Sequence, residues 1–273
     1  PGGELNRWAI WASKISNIKY RYLVIHNVPW KVPYFYQIFE YFRNRSIEKN
    51  CSEIISVSES CAQSLKLGAY FKKTPRVIYN GITIPKEQKK YKSKWNGETV
   101  KIAFIGELHK RKGVHILLKS LDCINSPCEL QIYGNGEKEY TNYLNTIAKS
   151  RKWETKFFGY CDNIQKIYPQ IDILVLPSLY LESFGMTLVE AMSYSIPTLS
   201  SDFGGMKEVA ENNVTGFIVP KGDILKLGEK LNDLVLSYLL REKMGKKGRE
   251  RVINKFSVEQ MVIGYKSLLN DNG

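Results

Sequence analysis

No apolar run in the 273-residue chain approaches the length of about 20 residues that a helix needs to cross a bilayer. The first residues, PGGELNRWAI, lack the charged start and long apolar segment of a secretory signal. Together these absences exclude a helical membrane span and point to a cytoplasmic protein. Cysteine is scarce: Cys51, Cys61, Cys123, Cys128 and Cys161 are odd in number and irregular in spacing, in a chain too large to need staples. They read as reduced packing residues. Histidine is scarcer still, with only His26, His109 and His115, and no Cys/His spacing matches a zinc site. No metal site is therefore expected. Low-complexity tracts are also missing, and 43% apolar content is ample for buried cores.

Charge is present in excess of one sign. Forty Lys and Arg against 27 Asp and Glu leave a net +13, which favours a polyanionic partner. The basic residues are scattered and no nucleic-acid-binding motif occurs, so nucleic acid is not the expected partner. A phosphorylated small molecule or an anionic membrane surface remains. The aromatic, basic stretch 30–49 has Trp30, Tyr34, Phe35, Tyr36, Phe39, Tyr41 and Phe42 beside Lys31, Arg43, Arg45 and Lys49. It reads either as a helix lying on an anionic leaflet or as a core helix with a solvated basic edge.

Strands and helices alternate from 101 to 220. KIAFIG, ELQIYG, TKFFGY, IDILVLPS, IPTLSS and GFIVP are short apolar strands, with helical stretches between most of them. Such alternation predicts a parallel sheet covered on both faces. Residues 223 to about 255 read as helical and charged. A last amphipathic helix follows, with Met261, Val262, Tyr265 and Leu268 as its apolar stripe. Before residue 100 only RYLVIHN, SEIISVS and PRVIYNG read as strands, where a doubly wound domain has about five or six. The polar segment KEQKKYKSKWNGET reads as a linker. The expected division is an incomplete domain at 1–85, a linker at 86–100, a whole Rossmann-like domain at 101–255 and a last helix at 256–273.

Three loops at strand ends carry the candidate chemistry. In SLYLESFGMTLVEAM (178–192), Glu182 lies in a strand-to-helix loop and Glu190 in the first turns of the helix. Backbone amides of about 185–187 would point at a bound anion, and Gly185 would let it approach. On spacing alone, Glu190 complementing the helix dipole and Glu182 being solvated is an equal alternative. In IGELHKRKG (105–113), Lys110, Arg111 and Lys112 precede a helix start, which suits a diphosphate or is simply a solvated basic loop. IYGNGEKEY (132–140) holds a partial Gly-x-Gly, a weak signal alone. All three lie at carboxyl ends of strands in one predicted sheet, where ligands bind.

The stretch ESFGMTLVEAMSYSIPTLSSDFGGMKEVAENNVTGFIVPKGD resembles the C-terminal signature of family 4 retaining glycosyltransferases, the glycosyl transferases group 1, which have the GT-B fold. VSESCAQSLKLGAYFKKTPRVIYNGI is similar to the end of the family's N-terminal domain, and the last helix, 256–273, resembles the one that crosses back to that domain. The resemblance implies an α/β protein with two Rossmann-like domains and parallel sheets, the N-terminal one incomplete. It implies transfer of a sugar from a nucleoside-diphosphate sugar, a UDP- or GDP-sugar, to a hydroxyl with retention; no Asp-x-Asp pair stands at a strand end, so no metal cofactor is expected. The acceptor would be a glycan or lipid-linked molecule of cell-surface polysaccharide or glycolipid synthesis. By position, Glu190 would hold the donor ribose, Glu182 would lie near the transferred sugar, and Lys112 would neutralise the β-phosphate. Gly106 and Arg111 would serve the diphosphate, with Ser183, Phe184, Gly185, Met186 and Thr187 offering backbone to sugar and phosphate. Gly134 and Gly136 would lie near the base, and His26 near the reacting centre. Two departures stand out: Glu107 occupies the family's usual Arg position, and only about 25 residues precede His26. The second raises the alternative of a non-catalytic nucleotide-sugar-binding fragment or split subunit that needs a partner.

Overall fold

The structure, a computed structural model, describes residues 2–27, 34–67, 71–89 and 99–271. Two compact units divide the chain, one of residues 1–81 and 258–273, the other of residues 82–257. Trp30, Lys31 and residues 90–98 of the expected linker lie outside the described residues.

The first unit holds a parallel sheet in the order β1 (Tyr22–Ile25), β2 (Glu53–Ser56), β3 (Arg76–Val77). Helices α1 (Gly2–Ile15), α2 (Tyr34–Asn50) and α3 (Glu59–Leu67) belong to it. The second unit has six parallel strands: β4 (Val100–Ile105), β5 (Cys128–Tyr133), β6 (Glu154–Gly159), β7 (Ile173–Leu176), β8 (Thr198–Ser201) and β9 (Gly216–Val219). Its helices are α4 (Val114–Ser120), α5 (Lys138–Lys149), α6 (Met186–Ser193), α7 (Met206–Val209), α8 (Ile224–Leu236) and α9 (Tyr238–Lys255). The last helix, α10 (Val258–Asp271), returns to the first unit.

Alternation along β1 divides the first unit's core. Leu23 and Ile25 pack with Ile10, Ile47, Ile54, Cys61 and Leu65 on one face. Tyr22 and Val24 pack with Ile55, Ile78, Met261, Tyr265 and Leu268 on the other. Val262, grouped with that stripe by sequence spacing, is instead 39% exposed, because it lies about 100° round the helix from Met261. The helix α1 had no signal in the sequence reading.

In the second unit the strand order is β6-β5-β4-β7-β8-β9. The chain starts in the middle, builds outward through β5 and β6, then returns to the other side of β4 to lay down β7, β8 and β9. The reversal opens a crevice between β4 and β7 at their carboxyl ends, the position where doubly wound sheets hold ligands. Ile102, Ala103, Phe104, Leu130, Ile132 and Val175 are fully buried, which explains the unbroken apolar runs of these strands. The segment 223–255, read as one helical stretch, is two helices. Ser237 ends α8 and caps α9, its Oγ accepting from the Leu240 amide. Arg241 seals the break by donating to the carbonyls of Leu234 and Val235.

None of the five cysteines forms a disulfide. Burial pushes the Cys51 thiol up to about 11 and that of Cys128 to about 12, so neither is a ready nucleophile. Among the described residues no helix is long and apolar enough to cross a membrane.

Candidate functional site

Backbone contact, rather than side-chain packing, aligns the first two loops at the crevice. The Gly106 amide donates to the Tyr133 carbonyl at 2.9 Å, and the Leu108 amide to the Asn135 carbonyl at 2.9 Å. A Cβ on Gly134 would lie 1.9 Å from the Gly106 oxygen, and one on Gly136 1.9 Å from the Leu108 oxygen. The Gly-x-Gly spacing is thus demanded by a neighbouring loop that leaves no room for a side chain. Beyond it, Lys110–Lys112 form a single 3₁₀ turn capped by His109, whose Nδ1 accepts from the Arg111 amide at 3.1 Å. Gly113 follows in the left-handed region at φ 72°, with its α-carbon against the Pro177 carbonyl. The Leu179 amide donates to the Arg111 carbonyl at 2.7 Å, seating the basic turn on the loop after β7.

That seating brings Lys112 to Glu182. The Lys112 Nζ lies 2.7 Å from Glu182 Oε1, and Ser178 Oγ donates to the same oxygen at 2.7 Å. Glu182 is also fixed through its main chain: the Gly205 amide donates to its carbonyl at 2.8 Å. A Cβ on Gly204 would stand 2.3 Å from that carbonyl oxygen, and one on Gly205 2.4 Å from the Ser183 oxygen. Gly185, at φ 99°, turns the chain into α6. The first amides of a helix lack intrahelical acceptors and carry partial positive charge, so Met186 and Thr187 open the helix with an anion-favouring end. Phe184 is buried against the Phe256 ring at 5.5 Å, which leaves only its backbone for a ligand.

Glu190 sits in the second turn of α6, where Tyr168 Oη donates to its Oε2 at 2.6 Å. Burial raises the Glu190 pKa above the ordinary carboxylate value, and the Tyr168 hydrogen bond pulls it back in part. Neither Tyr168 nor Ser178 was singled out from sequence. Tyr168 lies in KIYPQID, which offers no motif, and Ser178 ends a run read only as a strand. The basic loop contains a further pairing: Arg111 Nη2 bonds Glu107 Oε2, so the acidic residue in the loop faces the neighbouring cation. Lys110 is exposed. His26 belongs to the other unit, exposed at the carboxyl end of β1. Lys112 and Glu182 are therefore brought into contact, Glu190 is held separately by Tyr168, and His26 stands in a different body. Among the described residues no group of three or more His, Cys, Asp or Glu gathers as a metal would require.

The chain is similar to known proteins in both sequence and fold. The capsular polysaccharide biosynthesis glycosyltransferase CapM of Staphylococcus aureus is 28% identical over 239 residues, covering 80% of this chain and 62% of that protein. The spore coat protein SA of Bacillus subtilis is 26% identical over 251 residues, covering 81% and 65% respectively. The chain thus spans less than two thirds of the length of these relatives. Anabaena HepE, solved in complex with UDP and glucose, matches with a TM-score of 0.83 at 19% identity, over 98% of this chain and 76% of that one. The two parallel sheets, of three and six strands, are those of the GT-B fold. The profile described as Glycosyl transferases group 1 matches residues 85–251, which include both glutamates, the basic turn and every strand of the larger sheet, and the chain belongs to that family.

Proposed function

We propose that the chain binds a nucleoside-diphosphate sugar in the crevice between β4 and β7 and transfers the sugar to a hydroxyl acceptor with retention at the anomeric carbon. The observation that carries this reading is the Lys112–Glu182 pair at the switch point, beside the amino end of α6. Lys112 and the amides of 185–187 meet the diphosphate. As the C1–O bond breaks, negative charge builds on the leaving phosphate, and preorganised cations and amides stabilise that charge more than the ground state. On donor binding, before that bond breaks, Glu182 exchanges its ammonium partner for hydroxyls of the sugar to be transferred, and Glu190 accepts from the ribose. Gly106, Gly134 and Gly136 give the nucleotide close access to backbone, and Arg111 adds charge at the loop's tip. His26 is assigned to the reacting centre by its motif position.

UDP is the first nucleotide to try, since UDP is bound in the HepE structure. Calorimetric titration of UDP, GDP and ADP into wild type and Glu190→Ala tests the donor site. One nucleotide is expected to bind, at least about tenfold more weakly to the variant. Binding of none sinks the reading. Transfer is expected to persist in EDTA, with lysine and helix amides serving where a metal would otherwise neutralise the diphosphate. Loss in EDTA with recovery on Mg²⁺ or Mn²⁺ refutes metal independence.

The proposed acceptor is a glycan or lipid-linked hydroxyl of cell-surface polysaccharide or glycolipid synthesis, met at the cytoplasmic face of the membrane. A second reading is favoured by one observation. Among the described residues no strand pairs with the outer edge of β1, and Trp8 and Trp11 on α1 are 62% and 54% exposed. On that reading this chain binds the donor but turns over only when another polypeptide completes the first unit. Turnover by the chain alone excludes it.

A further inference from the structure

We infer that Tyr168 is the positioning residue for Glu190: it holds the carboxylate in the rotamer and charge state from which its other oxygen can accept a ribose hydroxyl. This rests on the assignment of Glu190 to the donor ribose. Tyr168 is 1% exposed, among the largest fully buried side chains of the protein, yet it carries a polar group into the core. Among the described residues the hydroxyl makes one hydrogen bond, 2.6 Å to Glu190 Oε2, across 22 residues of sequence. Its ring is stacked on Tyr194 at 5.2 Å and 22°, and Tyr194 ends α6, the helix that bears Glu190. The tyrosine is thus locked against the helix whose side chain it orients.

A purely packing role would be served as well by phenylalanine, which buries no hydroxyl. Burial and the neighbouring Glu190 charge hold Tyr168 well above the usual phenol range, so it remains a donor at any working pH. A permanent donor beside a partly buried carboxylate favours the ionised form, opposing the burial that disfavours it. Tyr194, the other titratable side chain in this cluster, stays neutral because burial and the charges of Glu87 and Glu190 raise it too. Donation to Oε2 leaves Oε1 without a hydrogen bond among the described residues.

The test compares wild type, Tyr168→Phe, Glu190→Ala and the double variant, each titrated with the preferred ribonucleoside diphosphate and its 2′-deoxy and 3′-deoxy forms. Wild type should prefer the ribonucleotide by about tenfold or more, and Glu190→Ala should lose that preference. Tyr168→Phe should cut the preference to about threefold or less, and the double variant should match Glu190→Ala alone. Full preference in Tyr168→Phe, with none in Glu190→Ala, overturns the positioning role and leaves the ribose assignment standing. Full preference in Glu190→Ala removes the ribose assignment, and the inference falls with it. A readout needing no nucleotide is the Glu190 carboxyl titration followed by carbon-13 NMR. It should move upward in Tyr168→Phe, and an unmoved titration overturns the inference. Tyr168→Phe keeps the ring and its stack on Tyr194, so a melting curve near that of wild type is expected as the control for folding.

Discussion

Glu190 joins a cost in stability to the proposed binding role, and the two separate by substitution. Its pKa is raised in the folded protein by burial, so over the pH range between the ordinary glutamate value and the folded one the native state binds more protons than the unfolded chain. Stability contributed at this site is therefore full below that range and falls as pH rises through it. Glu190→Gln, which still accepts from Tyr168 through its amide oxygen, should abolish this fall, and melting curves from pH 4 to 8 would show it. Glu190→Ala leaves the buried Tyr168 hydroxyl without its acceptor, so it should cost about 1–3 kcal/mol at low pH, where Glu190 is protonated, and less as pH rises and the wild type loses its own contribution. A second prediction concerns Glu107, whose carboxylate faces Arg111 within the loop. The pair is largely exposed and so worth about 1 kcal/mol or less. Glu107→Ala should leave stability within that range and tighten diphosphate binding a few-fold, and titration of the same nucleotide into both proteins would check this.

At the scale of elements, the two glycine loops behave as one unit because their backbones touch. Gly134→Ala would set a methyl 1.9 Å from the Gly106 carbonyl oxygen, at φ 137°. Neither loop can yield without breaking the Leu108–Asn135 and Gly106–Tyr133 hydrogen bonds, so a loss of about 3 kcal/mol or more is expected on denaturation. Gly159→Ala makes the contrast. It shares a left-handed φ of 71° but its nearest foreign atom is the Asn135 Oδ1 at 3.4 Å, so only the conformational cost of about 1–2 kcal/mol remains. Equal losses at the two positions would refute the view that loop contact, and not backbone conformation, requires Gly134. The sequence showed a weak glycine pair; the partner carbonyls that make it obligatory, those of Gly106 and Leu108, come from the loop after β4, 28 residues earlier.

At the scale of the whole chain, the net charge of +13 and the outer face of α2 bear on where the protein works. Phe39 and Phe42 are 73% and 67% exposed, and Ile38 beside them is exposed as well, more apolar surface than a solvated helix needs. Arg43 and Arg45 are paired with Glu40 and Glu48 on the same helix, which places the attraction to an anionic surface on the chain's charge as a whole and the insertion on the aromatics. Flotation with vesicles containing phosphatidylserine should exceed that with neutral vesicles, and Phe39→Ser with Phe42→Ser should reduce it several-fold. No preference for the anionic lipid removes the membrane-surface reading.

Sequence alone determined the strands of both sheets and the edge of the larger sheet where the candidate loops gather. Short apolar runs bounded by glycine read as strands of a parallel sheet, covered on both faces except at the edge strand β6, whose alternate residues are exposed, and the loops after them gather at one edge by topology. Both glutamates, Lys112 and the helix start at Gly185 were legible for that reason. Tertiary structure alone decided which side chain meets which. Lys112 reaches Glu182 across 70 residues, Tyr168 reaches Glu190 across 22, and Gly204 and Gly205 fit against Glu182 and Ser183 from the next strand's loop. The α8–α9 break at Arg241 and the exposure of Val262 belong with these. Periodicity reports which face of an element is buried, because burial repeats along the chain. Pairing between distant side chains does not repeat, and only the folded geometry sets it.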